Sequence, residues 1–215
     1  PLWLSRTDHP LQPPPSQSPP DFIGLENYTK MIQDPEFWNS FRVTVTYVLA
    51  GVPLQLGLAL ALALLLDKGL RGLSFYRSIF YLPSLLGGSV AIAILWRQVF
   101  GKDGLVNAFL AIFGIDAPGW IGHPDYALWT IIILHIWTFG SPMVIFLAGL
   151  RQIPDMYYEA ASVDGASRPQ RFFRITLPLL TPIIFFNLVL QVIFAFQTFT
   201  QAYVVSGGTG GPADS

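Results

Sequence analysis

The sequence predicts an all-α membrane protein, a multi-pass helical bundle, and three observations carry that expectation. The 215 residues are 52% hydrophobic and only 12% charged, about half the charged share of an ordinary soluble domain. Four long stretches are almost free of Asp, Glu, Lys and Arg. The basic residues gather in two of the links between those stretches, an asymmetry typical of cytoplasmic loops.

Taken in order, residues 1–21 carry Pro10, Pro13, Pro14, Pro15, Pro19 and Pro20 among Ser and Gln, a composition for extended chain rather than a packed domain. Residues 22–40 read as a short amphipathic helix at the membrane surface, with Asp34-Pro35-Glu36 as a helix start and Phe37-Trp38 as an aromatic anchor. We therefore expect an extracytoplasmic segment over 1–40 and a membrane domain over 41–215. The stretch 43–66 contains no charged residue, and at 1.5 Å per residue it reaches ~36 Å, enough for a ~30 Å hydrocarbon core. The stretch 78–96 is uncharged between Arg77 and Arg97, and 126–150 is uncharged apart from neutral His135. The run 175–213 has no charge except Asp214 just beyond it, and its helical part is expected from about Thr181 to Val205.

Small residues four apart (Gly57 and Ala61, Ala59 and Ala63, Gly87 and Ala91, Ser89 and Ala93) predict close helix approaches. Pro83 and Pro142 fall inside spans, where kinks survive if neighbours satisfy the freed carbonyl. Lys68, Arg71 and Arg77 sit in one short link, and Arg151, Arg168, Arg171 and Arg174 in another. The much longer remainder holds Arg6, Lys30, Arg42, Arg97 and Lys102, so the two basic links are placed in the cytoplasm. The outer link 97–125, with Gly101, Gly104, Phe109, Phe113 and Trp120, is expected to hold a short helix lying on the membrane. Both ends then fall outside, and the opening Pro1 in place of Met fits a fragment or processed product.

Several chemistries are excluded. A net charge of −1 with no basic stripe argues against a nucleic-acid partner. The chain has no cysteine, and His9, His123 and His135 are scattered without metal-ligand spacing, so no metal site is expected. Gly101-Lys102 is followed by Asp103, which is no phosphate loop. No nucleophile–base pair stands out, so the chain is not read as an enzyme.

The most charged part of the chain is 151–178. Asp155 and Glu159 are four apart, on one helical face. Asp164-Gly165 ends that helix, because glycine is the cheapest left-handed C-cap. Ser167-Arg168-Pro169-Gln170 fits a capping box with proline in the first turn, opening a short basic helix in which Arg168, Arg171 and Arg174 recur every third residue. A glycine bend between two short helices makes a compact knob that can be gripped and moved as a rigid body.

Glu159-Ala160-Ala161, Gly165, Ile175 and Leu177-Pro178, at their fixed intervals, resemble the EAA loop of ABC importer permeases. The resemblance implies a type I ABC importer transmembrane domain (MetI-like), truncated at both ends by one helix each, in the cytoplasmic membrane. It implies that Glu159, Ala160, Ala161, Asp164, Gly165, Arg168, Arg171, Ile175, Leu177 and Pro178 couple this chain to a separate ATPase. It implies a dimer of ATP-binding subunits carrying ATP-Mg, a second and different permease, an extracytoplasmic solute-binding protein, and no cofactor on this chain. Pro169 departs from relatives that carry a bulky aromatic there. Gly24-Leu25-Glu26-Asn27-Tyr28, Phe146-Leu147-Ala148-Gly149-Leu150, Gln201-Ala202-Tyr203 and Gly210-Gly211-Pro212-Ala213 are similar to the carbohydrate-uptake branch.

In the last span, Asn187, Gln191, Phe194, Thr198 and Gln201 follow helical spacing. A face of amides and hydroxyls beside aromatics suits a polyhydroxylated solute, although interhelical hydrogen bonding would use the same residues. His135 reads as a packing residue. An importer of a non-sugar solute is the alternative reading. An ion-coupled secondary transporter would need a charged relay or discontinuous helices.

Overall fold

The computed structural model describes residues 25–68, 73–198 and 200–205. These residues are helical throughout their regular structure, with no strand among them. The described residues fall into two compact units, one ending at Val45 and the other beginning at Thr46. In the first, α1 (Glu26–Gln33) has no buried residue and carries a Lys30–Glu26 pair at 2.9 Å. Asp34 interrupts the helix, and its Oδ1 accepts from the Glu36 N–H at 2.9 Å. The expected start at Asp34-Pro35 therefore exists. It opens the first span itself rather than closing a surface helix over 22–40, because Pro35 suits a first helical turn and no breaker follows. That span is α2 (Pro35–Asp67), 33 residues long.

The second expected span, 78–96, is not one straight helix. α3 (Leu73–Leu86) and α4 (Val90–Phe100) are separated at Gly87-Gly88-Ser89, and the chain bends there by 94°. Two consecutive glycines weaken helical continuity, and the Ser89 hydroxyl caps the restart by accepting from the Ile92 N–H at 3.3 Å. The third span is also bent, by 41°, between α6 (Pro124–Trp137) and α7 (Gly140–Leu150). With each bent pair counted as one span, four crossings result, by length and composition. The link 97–125 holds α5 (Leu105–Ile112). Asn107 Nδ2 donates to the carbonyls of Lys102, Ala117 and Pro118 at 2.9–3.1 Å, and Trp120 Nε1 donates to Asn107 Oδ1 at 2.6 Å.

The final span departs from expectation at both ends. After α8 (Asp155–Val163), α9 (Arg168–Arg171) passes through a π-turn (Phe172–Thr176) into α10 (Leu177–Phe196), giving one helix from Arg168 to Phe196. The basic arm is thus the foot of the span and not a separate short helix. Pro178 explains the π-turn. It has no N–H for the Arg174 carbonyl, and its ring would strike that carbonyl in α-geometry. The Leu177 N–H bonds instead to the Phe172 carbonyl, five residues back. At the other end the helix stops at Phe196 and resumes as α11 (Thr200–Val205).

The core of the second unit is built from Val52, Leu56, Ala59, Ala63 and Leu66 of α2, Ile132 of α6, Met143, Phe146 and Leu147 of α7, and Leu180 of α10. Ala59 and Ala63 are wholly buried, as their four-residue spacing predicts. Gly57 faces open space, so its pairing with Ala61 is not a packing handle within this chain. A smaller cluster joins Ala93, Leu134 and Val205, with Trp96 and Trp137 against it.

Candidate functional site

The segment 155–177 folds as a two-armed knob. α8 ends in paired hydrogen bonds: the Ala166 N–H donates to the Ala161 carbonyl at 2.9 Å and the Gly165 N–H to the Ser162 carbonyl at 3.2 Å. This is a Schellman end, and Gly165 takes the left-handed position with φ +73°. The second arm opens as its capping sequence predicts, with the Ser167 N–H donating to Gln170 Oε1 at 2.7 Å. Two further ties lock the arms together. Arg171 Nη1 donates to Ser162 Oγ at 2.8 Å, and the Tyr158 and Thr176 hydroxyls share a hydrogen bond of 2.9 Å.

Ala161, Asp164, Gly165, Arg171, Arg174 and Ile175 line an open notch of about 390 Å³ between the arms. Five of the ten residues singled out in this segment therefore converge. Glu159, Ala160 and Arg168 are exposed on the knob outside the notch, and Leu177-Pro178 form the join to the span. The tying residues Tyr158, Ser162 and Thr176 were missed. Their only signal was position: Tyr158 and Ser162 share a face of α8, and Ser162 lies nine residues before Arg171.

In the last span, Asn187 is wholly buried and Gln191 nearly so, on one face with Leu180 and Ala195. Among the described residues, neither amide atom of Asn187 has a hydrogen-bond partner. Phe194 is 55% exposed, unlike the buried amides of Asn187 and Gln191. Seven residues bring an α-helix back to within about 20° of its starting direction, so Phe194 differs from Asn187 in what covers it and not in helical phase. Thr198 lies past the end of α10, its hydroxyl donating to the Phe194 carbonyl at 3.0 Å. The Gln201 side chain lies outside the described residues, as do Arg71 and 206–215.

Sequence reasoning overlooked a polar knot where the two bent spans meet. Gln55, 1% exposed, donates through Nε2 to the His135 carbonyl at 3.1 Å, the Thr138 carbonyl at 3.2 Å and Thr138 Oγ1 at 2.9 Å. Ser84 Oγ donates to the same Thr138 carbonyl at 2.9 Å and accepts from the Ser141 N–H at 2.8 Å. The His135 ring packs on Gly51 and lies 5.3 Å from the Tyr47 ring.

A sequence model of the binding-protein-dependent transport system inner membrane component matches residues 43–213. The chain belongs to this permease family. It is 57% identical over 215 residues to the probable ABC transporter permease protein YesP of Bacillus subtilis (strain 168), a match covering 99% of this chain and 68% of that protein. It is 38% identical over 194 residues to the trehalose/maltose transport system permease protein MalF of Thermococcus litoralis, covering 89% of this chain and 65% of that one. A bacterial ABC transporter that imports the acidic polysaccharide alginate superposes with a TM-score of 0.73 at 27% identity, over 90% of this chain and 69% of the transporter chain. A second structure of an alginate transporter, in complex with an alginate pentasaccharide-bound periplasmic protein, gives 0.72 at 25% identity. The chain thus spans about two thirds of the length of these relatives. As a permease it is a multi-pass membrane protein of the importer-type helical fold, and its family is one of transport subunits.

Proposed function

We propose that this permease moves a sugar or related polyol across the cytoplasmic membrane by alternating access, driven by ATP hydrolysis on a separate dimer of ATP-binding subunits. The observation that carries the proposal is the knob at 155–177. Its residues match a coupling motif at fixed spacing, and the fold ties them into one exposed, internally braced body. Such a body can pass a displacement to the span it continues into. ATP-Mg belongs to the partner. A second permease and an extracytoplasmic solute-binding protein complete the assembly, in line with the alginate transporter solved with its periplasmic protein.

Sugar is favoured by the relatives named for trehalose/maltose and lactose and by the unpartnered amide of Asn187. An amide without a partner in an apolar bundle costs free energy unless something polar visits it. We assign the solute pathway to Asn187 and Gln191, with Thr198 and Gln201 beyond the helix end and Phe194 at its margin.

The full-length protein, reconstituted with its co-purifying subunits, is expected to take up at least one member of a labelled sugar panel only with Mg-ATP inside the vesicle-equivalent of the cytoplasm. Uptake that follows an ion gradient without an ATP-binding subunit would overturn the reading. The broken spans meet one structural condition for ion-coupled transport, but the spans lack the charged relay such transport uses.

A further inference from the structure

The bend in the third span has a specific chemical cause. In an uninterrupted helix, the Thr138 carbonyl would accept from the N–H of residue 142, and residue 142 is proline. The freed carbonyl is taken over by two other helices, through Ser84 Oγ and Gln55 Nε2. The two sides of the break are held unequally. Gln55 makes all three of its donations to the α6 side, to His135 and Thr138. The α7 side has one polar attachment at the knot, from the Ser141 N–H to Ser84. Gly87 makes room for the Thr138 side chain, and Gly140 lets α7 approach the backbone of α3. A Cβ at Gly87 would overlap the Thr138 methyl, and one at Gly140 would overlap the Phe80 carbonyl.

We infer that Thr138–Phe139 is a pivot and that Ser84 is its latch: Gln55 clamps α6 to α2, while the Ser84–Ser141 bond holds α7 at one of two angles. α7 runs directly through residues 151–154 into the knob, so its angle sets the knob's position against the bundle. This inference rests on the coupling function proposed above. It makes Ser84 a positioning residue that acts through α7 and touches neither solute nor nucleotide.

The chain contains no cysteine, which allows a spin-label pair at Trp129→Cys on α6 and Gln152→Cys after α7, both at exposed positions. The full-length chain, assembled with its partner subunits in lipid nanodiscs, is measured without nucleotide and with Mg-ATP trapped by vanadate. In the otherwise wild-type chain the pair should show one dominant separation, replaced by a second on trapping. Ser84→Ala should raise the population at the second separation roughly fivefold in the nucleotide-free state, the shift expected from loss of the Ser141 hydrogen bond that holds α7. It should also raise ATP hydrolysis in the absence of solute. Ser84→Thr, which keeps the hydroxyl, should restore the wild-type distribution. Wild-type distances in Ser84→Ala would overturn the latch and leave the coupling reading standing. Failure of Ser84→Ala to assemble, with Ser84→Thr assembling normally, would make the bond a folding requirement and also overturn it. A wild-type pair that ignores trapped Mg-ATP would remove the coupling reading and the latch together.

Discussion

Gly165 is required for its backbone and not for its size. Its φ of +73° is costly for residues with a Cβ, yet a Cβ there would meet no atom within 4 Å. Gly165→Ala should therefore cost about 1–2 kcal/mol of local order, and Gly165→Val more, while Gly165→Asn recovers much of the loss. The expected order of ATP-driven uptake is Gly, Asn, Ala, Val, at constant membrane insertion. Asn187 gives the opposite kind of prediction. Replacing an unsatisfied buried amide by a similar-sized apolar group should be neutral or stabilising. Asn187→Leu is thus expected to keep or raise the thermal stability of the assembled complex and to lower sugar uptake. A loss of stability with normal uptake would make Asn187 a packing residue.

At the scale of elements, proline and glycine decide what the apolar runs become. Pro178 imposes the π-turn, and Pro178→Ala restores an N–H that can close an α-turn onto Arg174. Removing the extra residue from the turn would rotate α10 by about 100° relative to the knob. Disulfide trapping between cysteines introduced on α7 and α10 should then change partner positions. Glycines at crossings differ in the same readable way. Gly140→Ala would strike backbone of α3 and should destabilise by about 1–3 kcal/mol. Gly149→Ala meets the tips of Ile183 and Leu180, which can move, and Gly57→Ala meets nothing. Thermal unfolding should rank them in that order.

Much of this level was legible in the sequence. The Schellman end and the capping box at 164–170 follow from local chemistry, and the structure contains both. The breaks were less so. Gly87-Gly88-Ser89 carries a stop and a start, but inside an uncharged run Gly87 and Ser89 read as small packing residues paired with Ala91 and Ala93. Gln55 stood alone as an amide in an apolar run, and its three acceptors lie 80 or more residues away. Nothing local could name them. Spacing alone could not separate Asn187 from Phe194 either, since which residues of α10 are covered depends on where α2 and α7 lie.

For the whole molecule, the basic links are expected to face the cytoplasm, and this can be checked without any transport assay. A membrane-impermeant maleimide should modify Val163→Cys, 88% exposed on the knob, only in inverted vesicles, and Phe113→Cys, 66% exposed on the outer link, only in intact cells. The Arg151–Asp67 pair at 3.7 Å joins the two basic links, but both partners are more than a third exposed. It contributes at most ~1 kcal/mol, and high salt should remove even that. The steadier brace lies within the knob, where the arms meet through Arg171 with Ser162 and Tyr158 with Thr176. Because every one of those ties begins and ends inside 155–177, the segment carries its shape with it. Grafted into a sister permease, it should bring its choice of motor along, so that swapping this short cassette re-addresses a transporter to another ATPase while leaving its cargo unchanged.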